Sequence, residues 1–266
     1  MEEILREYFG FGGYKRAPEG GYSWQHLLFV TSLMAVMVLL AVVIGRRNRP
    51  RDEKTKNRVL VIAAILIDSL ELFKIVLLCF RSGDPLNFLS DLPLFLCSIQ
   101  LITIPLAAFS QGRVREAALD FVCIFGILGA LAGTYGAAQI YNANPVMSFD
   151  NNVSGVTHAI SGFCSLYILI AGMASMKKRN MGITFAIMLF FCGAAYIVDI
   201  INTKTGYQNN YMFLLRGDGT PYDIAYNIVK GSPVLYPLFV VALFLAYIVL
   251  YYWLFYVIKN KKAADK

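Results

Sequence analysis

The sequence predicts an all-α, polytopic membrane protein of seven transmembrane helices, with its N-terminus outside and its C-terminus inside. Three observations carry that expectation. Hydrophobic residues make up 58% of the 266 positions and charged residues only 15%, with a mean hydropathy of +0.58. Lipid requires every backbone polar group to be satisfied within its own segment, which helices do. Seven apolar stretches are close to the roughly 20 residues that a spanning helix needs, and Lys and Arg fill alternate gaps between them. Residues 1–266 are expected to form a single integral membrane domain.

The N-terminal segment MEEILREYFGFGGYKRAPEGGYS has acidic residues in front and no long apolar core. It reads as an amphipathic surface segment rather than a cleavable signal, with Tyr22 and Trp24 marking the interface. The spans are expected at about 24–45, 59–80, 92–110, 117–137, 154–176, 181–201 and 233–258. The fourth and fifth are rich in Gly and Ala (GILGALAGTYGAA; Gly155, Gly162), which lets helix backbones approach closely. The 202–232 connection is long enough to act as a lid or a dipping segment, or to be a plain surface loop.

Orientation follows from the gaps. The first holds Arg46, Arg47, Arg49, Arg51, Lys54, Lys56 and Arg58, the third Arg113 and Arg115, and the fifth Lys177, Lys178 and Arg179. The tail holds Lys259, Lys261, Lys262 and Lys266. These gaps lie inside by the positive-inside rule, so the net charge of +7 reflects topology and not nucleic-acid binding.

Polar groups inside apolar segments are the candidate chemistry. The five cysteines show no metal-type spacing; four read as small buried hydrophobes. The exception is Cys97, about 8 Å below the outer edge if the third span begins at Leu92. His158 sits about 6 Å down if the fifth begins at Ser154. A thiolate beside an imidazole is a competent acyl acceptor. Asp68, Glu71 and Lys74 follow at three-residue spacing on the second span and should face the bundle interior. Gln100 falls one turn below Cys97, and His26 opens the first span. No metal cluster, Gly-rich phosphate loop or GxSxG elbow is present in the sequence, so no metal and no cofactor is expected. The Asn152-Val153-Ser154 sequon is too short a pattern to carry weight.

LPLFLCSIQ at the third span, His158 in the fifth, Trp24-Gln25-His26, the charges of the second span, and NNYMFL followed by Ser232-Pro233 occur in one order along the chain. In that order the chain resembles the YwaF-type bacterial membrane proteins. Those are related to a vertebrate transmembrane acyltransferase that remodels ether phospholipids, and distantly to the androgen-induced hydrolases of fatty acid esters. The resemblance implies a helical bundle in the cell membrane with an intramembrane nucleophile and histidine, carried onto Cys97 and His158. It implies a phospholipid or lysophospholipid as partner, with His26, Glu71, Lys74, Gln100, Asn210 and Tyr211 supporting the site. Many bacterial members carry a histidine where Phe95 stands here, which leaves His26 and His158 to supply any imidazole chemistry. The expected activity is lipid acyl transfer through an acyl-thioester. Ester hydrolysis at the same site is an alternative, as are a small-solute transporter using Asp68, Glu71 and Lys74, and a sensor or assembly partner without chemistry.

Overall fold

The computed structural model describes residues 2–207 and 209–264. Among them are ten α-helices and no strand: α1 (Glu2–Phe9), α2 (Trp24–Asn48), α3 (Glu53–Ser82), α4 (Gln100–Phe109), α5 (Gly112–Thr134), α6 (Ala138–Ala143), α7 (Phe149–Ile170), α8 (Met181–Thr205), α9 (Tyr222–Ile228) and α10 (Leu235–Ala264). Five helical stretches of the described residues are long and apolar enough to cross a membrane: Trp24–Asn48, Gly112–Ala143, Phe149–Ile170, Lys178–Thr205 and Leu235–Asn260.

Helix ends follow local chemistry. Ser23 caps α2 through a hydrogen bond that its hydroxyl accepts from the His26 amide, and Ser148 caps α7 in the same way for Asn151. α3 and α8 end on Gly83 and Gly206, both with the left-handed backbone that glycine adopts at helix C-termini. α5 is the central helix, with an almost unbroken buried run from Ala117 to Gly126. It packs most closely against α7: a Cβ added at Gly126 would lie 2.7 Å from the Ser161 carbonyl. Across the same seam the Ser165 hydroxyl donates to the Cys123 carbonyl at 2.7 Å. Small residues at this contact fit the expected close approach.

The third expected span is corrected. Only Gln100–Phe109 is helical, ten residues or about 15 Å, against a hydrocarbon core about 30 Å thick. Residues 91–99 are irregular because Pro93 disfavours helix before it, and because Ser98 Oγ takes the Phe95 amide at 3.0 Å. The second expected span is one continuous helix, but its charges keep it outside the five apolar candidates. α7 begins at Phe149 rather than near residue 154, since Ser148 supplies the cap, and ends at Ile170 before the left-handed Gly172. The two matched shallow depths calculated from Leu92 and Ser154 therefore do not hold.

The basic gaps meet at one end of the bundle. Arg115 reaches Asn57 Oδ1 at 3.3 Å, Arg113 donates to the Arg179 carbonyl, Lys177 pairs with Glu116, and Lys178 lies over the Tyr256 ring. At the opposite end Arg81 makes a bidentate pair with Asp150, and the 84–92 segment is tied to the connection that follows α8. That connection is structured: it contains a 3-10 turn at Tyr211–Phe213 and α9.

Candidate functional site

At the end away from the basic clusters, α3, α7 and the irregular 91–99 segment enclose a cavity of about 200 Å³. Cys97 and His158 both line it, with Glu71, Lys74, Asp91 and Phe95. Cys97 is partly exposed there, whereas Cys123, Cys164 and Cys192 are buried.

Cys97 stands two residues before Ile99, the cap residue of α4. Its backbone therefore lies at the N-terminal end of α4 and against Gly129 of α5. Amides at a helix N-terminus favour negative charge. The irregular backbone makes this possible, since amides within a helix would be spent on carbonyls four residues earlier.

His158 is fixed on the other side. Its Nδ1 donates to the Ser154 carbonyl at 2.6 Å, one turn earlier on α7. A neutral ring donating from Nδ1 carries its lone pair on Nε2. Nε2 is buried with no formed hydrogen bond. Cys97 and Glu71 line the same cavity as this ring, with no hydrogen bond formed between Cys97 and His158.

α5 makes room for both groups. A Cβ at Gly129 would lie 3.1 Å from Cys97 Cα, and one at Gly133 would fall on the His158 ring. These glycines, expected only as a packing surface, also make space for Cys97 and His158. The signal was their four-residue spacing on one helix face.

The remaining expected residues divide. Lys74 Nζ donates to Glu71 Oε1 at 2.5 Å, and both face the cavity. Asp68 does not join them, because six residues along a helix turn it well away from Lys74. It has no hydrogen bond or ion pair among the described residues. Asp91, not expected, lines the cavity near Lys74.

Gln100 is buried outside the cavity lining and accepts from Thr103 Oγ1 at 3.0 Å. His26 is also outside that lining. Its Nδ1 accepts from the Tyr22 amide, its Nε2 lies 3.3 Å from the Thr134 carbonyl, and its ring stacks on Tyr141, so it secures α2 against α5. Asn210 binds the Arg216 carbonyl and Asp218 and stays within its own loop. Tyr211 lies outside the cavity but holds its rim. Its hydroxyl donates to the Leu89 carbonyl at 2.8 Å and accepts from the Leu92 amide at 3.0 Å, while its ring packs on Phe95 at 4.8 Å. Asn152 of the sequon sits in the first turn of α7 and bonds the Tyr8 hydroxyl.

Fold and site together define an all-helical integral membrane protein with a thiol and an imidazole facing one enclosed cavity. The chain belongs to the TMEM164 family, whose model matches residues 21–257. No curated protein and no solved structure matches it.

Proposed function

We propose that the protein is a membrane lipid acyltransferase acting on phospholipid-type esters, with Cys97 as nucleophile and His158 as general base. The observation that carries this reading is that a partly exposed thiol and an imidazole whose buried Nε2 makes no hydrogen bond line one cavity. Family membership is compatible with the same activity.

In the first half-reaction the Cys97 proton passes to Nε2 as sulfur attacks the ester carbonyl of a phospholipid. The oxyanion forms near the Cys97 and Ser98 amides and Lys74, which stabilise the charge as it develops. Collapse breaks the ester C–O bond; the imidazolium returns its proton to the leaving alcohol, a lysophospholipid, and the acyl group stays on sulfur. In the second half-reaction His158 takes the proton of an incoming lysophospholipid hydroxyl, which attacks the thioester and restores the thiol. Water in the acceptor's place gives hydrolysis. Glu71 supports the imidazolium through space, and Tyr211 holds the rim.

The threading that goes with this reading has seven crossings in the cell membrane, N-terminus outside, with α3 and the 92–110 segment completing the five apolar helices. α3 crosses with Glu71 and Lys74 turned into protein, and the irregular half of 92–110 lies against α3, α5 and α7. The relation to YwaF-type proteins and to the ester hydrolases belongs to the same reading.

Purified protein in lipid nanodiscs, given a phospholipid with a labelled acyl chain, should acquire a hydroxylamine-sensitive label on Cys97. Cys97→Ala should abolish it, and His158→Ala should slow it by about 10²- to 10⁴-fold. Wild-type protein that stays unlabelled while transferring acyl groups, or Cys97→Ala protein that transfers at the normal rate, would sink the assignment.

A further inference from the structure

A second concavity, of about 400 Å³, lies between α2, α3 and α7 and is apolar throughout. Its wall on α3 is Val59, Ile62, Ala63 and Leu66, and its floor on α7 includes Ala159, Ile160 and Phe163. Val59, Ala63, Ile67 and Glu71 are spaced by four, so they form one stripe along α3. The first two line this groove and the last two line the Cys97 cavity. On α7, Thr157 of the cavity is followed three residues later by Ile160 of the groove. The reactive cavity and the groove thus share one seam, with Ile67 at the threshold.

We propose that this groove receives the acyl chain of the ester whose carbonyl is presented to Cys97, a proposal that rests on the acyl-transfer reading for the identity of that ester. The polarity changes in the right direction along the seam. Glu71, Lys74 and Asp91 surround the position of the ester, and only apolar side chains follow below Ile67.

The groove offers an occupant no hydrogen-bond donor or acceptor from its walls, which suits a hydrocarbon chain. It is also open sideways: Val36, Ile62 and Leu66 are 53%, 57% and 51% exposed, so a chain can enter from the bilayer without threading through the protein.

The test uses full-length protein in nanodiscs with phosphatidylcholine bearing a terminal diazirine on one acyl chain. Crosslinks are mapped in Cys97→Ala protein, so that the reading does not depend on turnover. They should concentrate on residues 59–66 and 156–163 and fall on the order of tenfold in Ala159→Phe, the discrimination expected of a filled apolar pocket. In protein with intact Cys97, Ala159→Phe should shift the acyl groups found on sulfur toward shorter chains. Ala63→Phe is the second filling variant, and Leu238→Phe on the exposed face of α10 is the control that should change neither readout. Crosslinks spread evenly over α10 and the groove would overturn the proposal. So would crosslinks between two copies of the chain, or an unchanged chain profile in both filling variants. An unlabelled Cys97 together with concentrated crosslinks would overturn the acyl-transfer reading while leaving the groove as a chain-binding site.

Discussion

At the scale of single residues, the site depends as much on missing side chains as on present ones. Gly133 has no tolerance for a methyl group, because the His158 ring occupies that space. Gly133→Ala must displace the imidazole or part α5 from α7. We expect Cys97 acylation to fall on the order of 10²-fold, the usual penalty for a misplacement near 1 Å, with helical circular dichroism unchanged. A normal acylation rate would show that the ring position is unimportant. Glu71 and Lys74 pose a different problem. Their side chains are 11% and 15% exposed, and removing one partner of such a pair costs about 3–5 kcal/mol by stranding the other. Glu71→Gln should lower the unfolding free energy by roughly that amount, and Glu71→Gln with Lys74→Met should recover most of it. Denaturation in detergent that ranks the double variant below the single one would contradict this.

At the scale of elements, the irregular 91–99 segment is set by contacts far away in sequence. Tyr211, Asn202 and Asn209 all deliver hydrogen bonds to Leu89 or its neighbours. Asp84 adds an electrostatic latch, accepting from the Tyr207 hydroxyl and the Leu86 amide, which together hold its carboxyl below the ordinary value of 3.8. A depressed folded pKa means that the latch contributes in full above pH 3.8 and weakens as pH falls through the lower folded value. Amide exchange around Tyr207 should therefore accelerate on acidification below that value. Asp84→Asn should flatten the pH response, and an unchanged profile in that variant would exclude the latch.

At the scale of the whole molecule, the alternating basic gaps share one end. If that end is cytoplasmic, cysteines introduced at Arg49 and Lys178 should be protected from a membrane-impermeant maleimide in intact cells. One at Asn87 should react; the reverse pattern would invert the topology. The helical class was legible in composition, and α8 and α10 in uninterrupted apolar length. Cys97 and His158 line one cavity, but not through the matched depths expected of two regular helices. Equal helical depth was assumed, whereas an irregular segment delivers the thiol. Its irregularity depends on Pro93, which sequence shows, and on Tyr211 119 residues from Leu92, which sequence does not pair with it. His26 reads in sequence as a histidine in an apolar span, and its stacking on Tyr141, more than a hundred residues away, is not visible there.

Gly129 and Gly133 lie four residues apart, which along α5 is about 6 Å of rise. One marks where the Cys97 backbone rests and the other where the imidazole lies. The spacing of the two reactive groups is therefore gauged by a helix that contributes neither of them. Inserting or deleting one residue between those glycines would detune the pair while leaving every reactive side chain in the sequence.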